Sequence, residues 1–139
     1  MLNAGFEEIE HTADWAIRVH AANLQELFAR AARGMFSLLT DLSGLTPEHS
    51  FDIELQAIDV ETLLVDWLNE LLYLAEQHDL VFVTFNIHEL SIAGEARLHA
   101  TVEGSRPAEL FKVIKAATFS SLSIRRDADD LEAELVFDV

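Results

Sequence analysis

Residues 92–102, IAGEARLHATV, decide the fold class. Ile92, Ala96, Leu98, Ala100 and Val102 alternate with Glu95, Arg97, His99 and Thr101. A period of two with one apolar face describes a strand buried on one side and wet on the other. Strands of that kind belong to antiparallel sheets, because parallel strands are buried on both faces. The same pattern recurs outward from this stretch. FDIELQA (51–57) places Phe51, Ile53 and Leu55 inward, with Asp52, Glu54 and Gln56 outward. LVFVTFNI (80–87) sets Val81, Val83, Phe85 and Ile87 on one face, and HELS (88–91) reads as the hairpin turn that follows. WAIRVHA (15–21) and LEAELVFDV (131–139) alternate as well. The stretch 112–126 is strand-like but less regular, with a bulge expected near KAATFSS.

Two segments break this rhythm with a helical period. In NLQELFARAARGMFSLLTDL (23–42), Asn23 suits an N-cap, and Glu26 three residues later completes a capping box. Leu24, Leu27, Phe28, Ala31, Met35, Leu38 and Leu39 form one stripe, and Gly34 beside it permits close packing. The Gly and Pro of LSGLTP stop the helix. In DVETLLVDWLNELLYLAEQH (59–78), Asp59 is the cap and Glu61 suits the positive end of the helix dipole. Its buried face is expected to be Val60, Leu63, Leu64, Trp67, Leu68, Leu71 and Ala75; its wet face Asp66, Asn69, Glu70, Glu76 and Gln77. The order β-β-α-β-α-β-β-β-β predicts one α+β domain over residues 1–139, with two helices covering a mostly antiparallel sheet.

Half of the 139 residues are hydrophobic, enough for a sizeable core. No cysteine is present, which excludes disulfides, zinc-thiolate sites and thiol nucleophiles, and fits a reducing compartment. The first residues carry no basic segment followed by an apolar run, so no signal peptide is expected. No apolar stretch approaches the roughly 20 residues of a membrane helix. A cytoplasmic location is the expectation. Twenty-five acids against nine bases give a net charge of −16. Phosphate backbones are repelled by such a surface, so autonomous nucleic-acid binding is not expected. Either the charge serves solubility, or it suits cations and basic protein partners.

No nucleotide-binding or serine-hydrolase motif occurs. His88 and His99 can face each other across a hairpin as a metal pair or as solvated strand histidines. RRDADDLE (125–132) lacks the glycine and terminal glutamate of a calcium loop and reads as a hairpin turn. Asp14, in EIEHTADWAI (8–17), and the terminal LVFDV (135–139) remain. Leu131, Ala133, Leu135, Phe137 and Val139 alternate inward, so Asp138 faces the other way. If this last strand is tied into the sheet, the α-carboxylate of Val139 becomes a fixed oxygen ligand beside Asp138. Were Asp14 to meet this end, three carboxyl groups would converge, an arrangement that a cation relieves. Oxygen donors select a hard ion, Ca²⁺, Mg²⁺ or Mn²⁺. Otherwise Asp14 is a turn residue and Asp138 is solvated. Lys115 either reaches toward these carboxylates or a partner, or guards an edge strand.

FEEIEHTADWAIRVHA (6–21), ETLLVDWLNELLYL (61–74), KAATF (115–119) and LVFDV (135–139) together resemble the archease family, in order and over nearly the whole chain. The resemblance implies a protein cofactor of an RtcB-type RNA ligase in tRNA splicing. That ligase joins 3′-phosphate or 2′,3′-cyclic phosphate ends to a 5′-hydroxyl with GTP and a divalent metal, through a guanylylated histidine. Archease promotes guanylylation and repeated turnover and is not itself an enzyme. The resemblance also implies a divalent cation, Ca²⁺ foremost, held by Asp14, Asp138 and the carboxylate of Val139. Lys115 matches the family lysine, and His11 belongs to the same HTAD motif. Phe119 and Ser120 stand where relatives commonly carry tyrosine and histidine. Two other readings stay open: a small metal-dependent hydrolase using Asp14 and Asp138 with His11 as base, and an acidic chaperone or adaptor.

Overall fold

A computed structural model describes residues 5–9, 15–111, 113–118, 122–127 and 129–139. The chain runs through β1 (Phe6–Ile9), β2 (Trp15–Ala21), α1 (Leu24–Leu39), β3 (His49–Ala57), α2 (Val60–His78), β4 (Val81–Ser91), β5 (Ala96–Ser105), β6 (Ala116–Thr118), β7 (Ile124–Asp127) and β8 (Asp130–Asp138). The α+β class holds, with two helices and antiparallel pairings throughout.

Both helices start where their caps predict. The Asn23 side chain accepts from the Glu26 amide at 2.9 Å, and the returning Glu26 carboxylate takes the Ala22 amide. Asp59 accepts from the Thr62 amide at 2.8 Å. α1 ends at Leu39, where an orphan carbonyl of its last turn accepts the Phe111 amide at 2.6 Å. Gly34 earns its place in α1 by proximity: a Cβ there would lie 2.8 Å from Ile17 Cδ1 and 3.0 Å from Phe6 Cγ.

The strands form two sheets rather than one. The larger has the order β1-β2-β8-β6, with β7 also on β8; the smaller is β3-β5-β4. Since β2 occupies one edge of β8 from Leu131 to Phe137, β6 and β7 share the other. Alternation reveals which face of a strand is buried, but not which strand lies beside it. α1 touches β1, β2 and β8 of the larger sheet and β4 of the smaller. α2 touches β3, β4 and β5 of the smaller and β6 of the larger. One continuous core therefore fills the space between the layers. Val65 and Leu72, two α2 residues beyond the expected stripe, are buried as well, as are Ala32 and Phe36 beyond that of α1.

Trp67 lies at the centre, fully buried, its indole N–H donating to the Phe28 carbonyl at 2.9 Å. The bond satisfies the one polar group of that side chain. Phe82 meets Phe36 and Phe51 edge-to-face, at 5.7 and 5.6 Å between ring centroids.

β4 departs from the simple alternation in two places. Its register against β5 shifts between Phe82 and Thr84, so Phe82, rather than the alternating set alone, enters the core. The Val83 carbonyl there accepts from the Arg33 guanidinium at 2.5 Å. A second shift, between Ile87 and Glu89, carries β4 onward through HELS to Ser91. HELS is thus strand, and the turn falls at residues 92–95 with Gly94 at φ +80. Ile92 lies in that turn, 55% exposed, and does not face the core. The bulge adds a residue, which displaces the turn from where unbroken alternation puts it. The irregular 112–126 stretch yields two short strands, β6 and β7, one more than expected; the bulge anticipated near KAATFSS falls partly on residues 119–121, outside the described residues. RRDADD does form a hairpin, with Asp127 opposite Asp130.

Candidate functional site

The end of β8 is held from several directions. Leu131, Ala133, Leu135 and Phe137 are buried in alternation, which fixes the register of the strand. Phe137 pairs with Trp15 of β2, and Asp138 pairs with Ala116 of β6. The Lys115 amide donates to the Asp138 carbonyl at 2.8 Å, and the Thr118 hydroxyl donates to the Val136 carbonyl at 3.1 Å. The strand therefore stays ordered by its ladder through its last residues. The Asp138 side chain is exposed, whereas Val136, at the same parity, is buried, so strict alternation ends at Leu135. Val139 departs from expectation. It lies beyond the last residue of β8 and is 42% exposed, so it is not an inward residue. It stands one residue past the last paired position of β8 among the described residues.

Asp138 thus presents an exposed carboxylate at the end of a fixed stem, with the main-chain oxygens of Val139 next to it. This donor set fits a hard cation, which takes carboxylate oxygens and tolerates open solvent positions. Asp14 and His11 fall within residues 10–14, outside the described residues, as do Phe119 and Ser120. The described chain resumes at Trp15, whose partner Phe137 immediately precedes Asp138. Lys115 is exposed and stands just before β6, not inside a strand, with its backbone joined to Asp138.

One structural residue near this end escapes a periodicity argument. Asn69, assigned to the wet face of α2, is part-buried. Its amide donates to the Ala117 carbonyl at 3.1 Å and accepts the Ala117 N–H at 2.8 Å. The two bonds mimic a strand partner for β6 and lock it to α2. The available signal was an amide side chain set between Leu68 and Leu71, bordering the apolar stripe.

Beside Lys115 lies an open cleft of about 760 Å³, whose lining includes Leu72, Leu80, Pro107, Leu110, Val113 and Ile114. Leu110, Phe111 and Val113 expose more than half of their surface. The segment is anchored to the end of α1 through the Thr40 hydroxyl, which donates to the Glu109 carbonyl, and through the Phe111 amide. The His88 and His99 rings face each other across β4 and β5, at 5.0 Å between centroids.

The arrangement matches known proteins over nearly its whole length. A model of the Archease protein family (MTH1598/TM1083) matches residues 6–139. The chain belongs to the archease family. It is 36% identical to the Protein archease of Methanosarcina acetivorans, across 96% of this chain and 95% of that one. It is 34% identical to the Protein archease of Methanopyrus kandleri, across 96% and 99%. Among solved structures, Methanobacterium thermoautotrophicum protein 1598 superposes with a TM-score of 0.85 at 28% identity, covering 97% of this chain and 99% of that one. A Thermotoga maritima archease, described as a possible chaperone, shares the fold with a TM-score of 0.65 at 21% identity, covering 96% of each chain. No helix among the described residues is long and apolar enough to cross a membrane.

Proposed function

We propose that this archease-family chain is a non-enzymatic activator of an RtcB-type, GTP- and metal-dependent RNA ligase. It promotes guanylylation and repeated turnover of that ligase in tRNA splicing or RNA repair. The observation that carries the reading is the fixed presentation of Asp138 and the terminal carboxylate at the end of a central strand, beside the start of β2. Asp14, peptide-bonded to Trp15, completes a three-carboxylate set for a hard divalent cation, Ca²⁺ foremost. A cation relieves the repulsion among carboxylates brought that close.

A solvent-facing tip suits presentation to another protein better than turnover of a small substrate, which needs a concave pocket to exclude water. The exposed Leu110, Phe111 and Val113, with Lys115, adjoin the tip and supply a contact surface for such a partner. The net charge of −16 favours encounter with a basic ligase. In the docked state the cation and its carboxylates hold a ligase conformation competent for GTP.

The test mixes the purified chain with a 3′-phosphate RNA ligase, GTP and divalent metal, and follows guanylylation of the ligase. Wild type accelerates it; Asp14→Ala with Asp138→Ala abolishes the stimulation while far-UV circular dichroism stays native. Full stimulation by the double variant refutes the proposal. Metal-dependent RNA cleavage by the chain without ligase points to a hydrolase instead. Ligase binding and stimulation that survive loss of both aspartates point to an acidic adaptor.

A further inference from the structure

A second cluster of metal-binding side chains lies on the exposed face of the smaller sheet, contributed by all three of its strands. Asp52 and Glu54 are two residues apart on β3 and share a face. Register places Thr101 opposite Asp52 and His99 opposite Glu54 on β5. His88 enters from β4 at the bulge between Ile87 and Glu89. The His99 Nε2 atom is 3.0 and 3.2 Å from the two Asp52 carboxylate oxygens. Thr101 Oγ1 stands 3.3 Å from Asp52 Oδ1 and 2.7 Å from His88 Nε2. One ligand atom from each of Asp52, Glu54 and His99 falls within 4.8 Å of the others.

We propose that this face is a separate site for a divalent transition metal of the Zn²⁺ class, with His99, Asp52 and Glu54 as ligands and His88 as the fourth. Four donors about 2.0–2.1 Å from a tetrahedral ion lie roughly 3.3 Å from one another. The His99–Asp52 separations, 3.0 and 3.2 Å, are already close to that value, and the metal would replace the proton they share. Glu54 is exposed and long enough to swing the remaining distance. His88 is exposed and faces His99, so turning it from Thr101 brings its imidazole in. Thr101 then bonds to Asp52 alone and orients that carboxylate, as outer hydrogen bonds do at metal sites.

The donor chemistry separates this face from the end of β8. Imidazole with carboxylate suits Zn²⁺, Co²⁺ or Ni²⁺, whereas Ca²⁺ and Mg²⁺ take oxygen alone. A histidine–aspartate ion pair by itself uses one carboxylate and one imidazole. Here a second carboxylate, Glu54, lies within 4.8 Å of the pair, and a second imidazole, His88, stands with its ring centroid 5.0 Å from that of His99, on a backbone fixed by ladders on both sides of β5.

The experiment titrates chelator-treated full-length protein with Zn²⁺ by calorimetry and with Co²⁺ by visible absorption, in excess Ca²⁺ to fill any hard-cation site. The expected result is stoichiometric binding, with Co²⁺ bands of tetrahedral intensity. His99→Ala and Asp52→Asn should each weaken it by at least about tenfold, since loss of even an outer partner costs 10–100-fold. Asp138→Asn should leave it unchanged. Equal binding by wild type and His99→Ala overturns the proposal, as does competition by Ca²⁺ or loss of Zn²⁺ binding in Asp138→Asn.

Discussion

The end of β8 and the outer face of β3-β5-β4 both gather carboxylates, but they are built by opposite means. At the smaller sheet the partners come from strands close in sequence: β4 and β5 form a hairpin, and β3 lies across one helix. At the end of β8, Trp15 pairs with Phe137 across almost the whole chain. The first cluster is a product of strand register within one sheet, with Asp52 and His99 47 residues apart in the chain. The second, in the three-carboxylate form proposed above, requires the segment before Trp15 to lie beside the end of β8. A site of that second kind is tied to the complete fold, which suits a surface that a partner must find in one conformation.

The largest effect should come from the element that joins the two regions. Trp67→Ala removes a fully buried side chain from α2, which touches both sheets. It should destabilise by about 3–5 kcal/mol, measured by urea unfolding. Both sheets should melt together, and separate transitions would break the picture of one core. Gly104→Ala tests the smaller sheet alone. A Cβ there would sit 2.3 Å from the Val81 carbonyl oxygen and 2.9 Å from Phe82 Cδ1. Forcing β4 away should cost about 1–3 kcal/mol or more, and ligase stimulation should survive wherever the protein stays folded.

Asn69→Ala strikes the larger sheet. It leaves the Ala117 N–H and carbonyl without their side-chain partner, at about 1–3 kcal/mol. Hydrogen exchange should rise first around β6 and Lys115, and barely at β3-β5-β4. Uniform exchange would show that the two regions are not separable. The smallest effect is a pH response. Hydrogen bonds from the Thr62 hydroxyl, then from its backbone N–H, hold the Asp59 carboxyl below its ordinary 3.8. Its contribution is complete above that ordinary value and is lost as pH falls through the lower folded value. Asp59→Asn should flatten that part of the acid-unfolding curve.

The same contrast explains what the sequence could disclose. Caps at Asn23 and Asp59, most of each helix stripe and most of the inward sets of β3, β5 and β8 were legible, because each depends on period and local hydrogen bonding; burial of Ala32, Phe36, Val65 and Leu72 was not. The bulges in β4 were not. They insert Phe82 into the core and move the turn from residues 88–91 to 92–95. Nor was the partner of Asn69, which depends on α2 meeting β6. Alternation also cannot tell that β8 ends at Asp138, one residue before Val139. At the candidate site, Asp138 was legible as an outward residue on an ordered strand, while its nearness to Lys115 and Trp15 required strand order.

The most direct test is a crystal structure of the full chain soaked in Ca²⁺. The account predicts an ion at the end of β8, about 2.3–2.6 Å from oxygens of Asp138, the Val139 carboxylate and Asp14. Calcium bound elsewhere with that end bare, or Asp14 turned away from the last two residues, would contradict it.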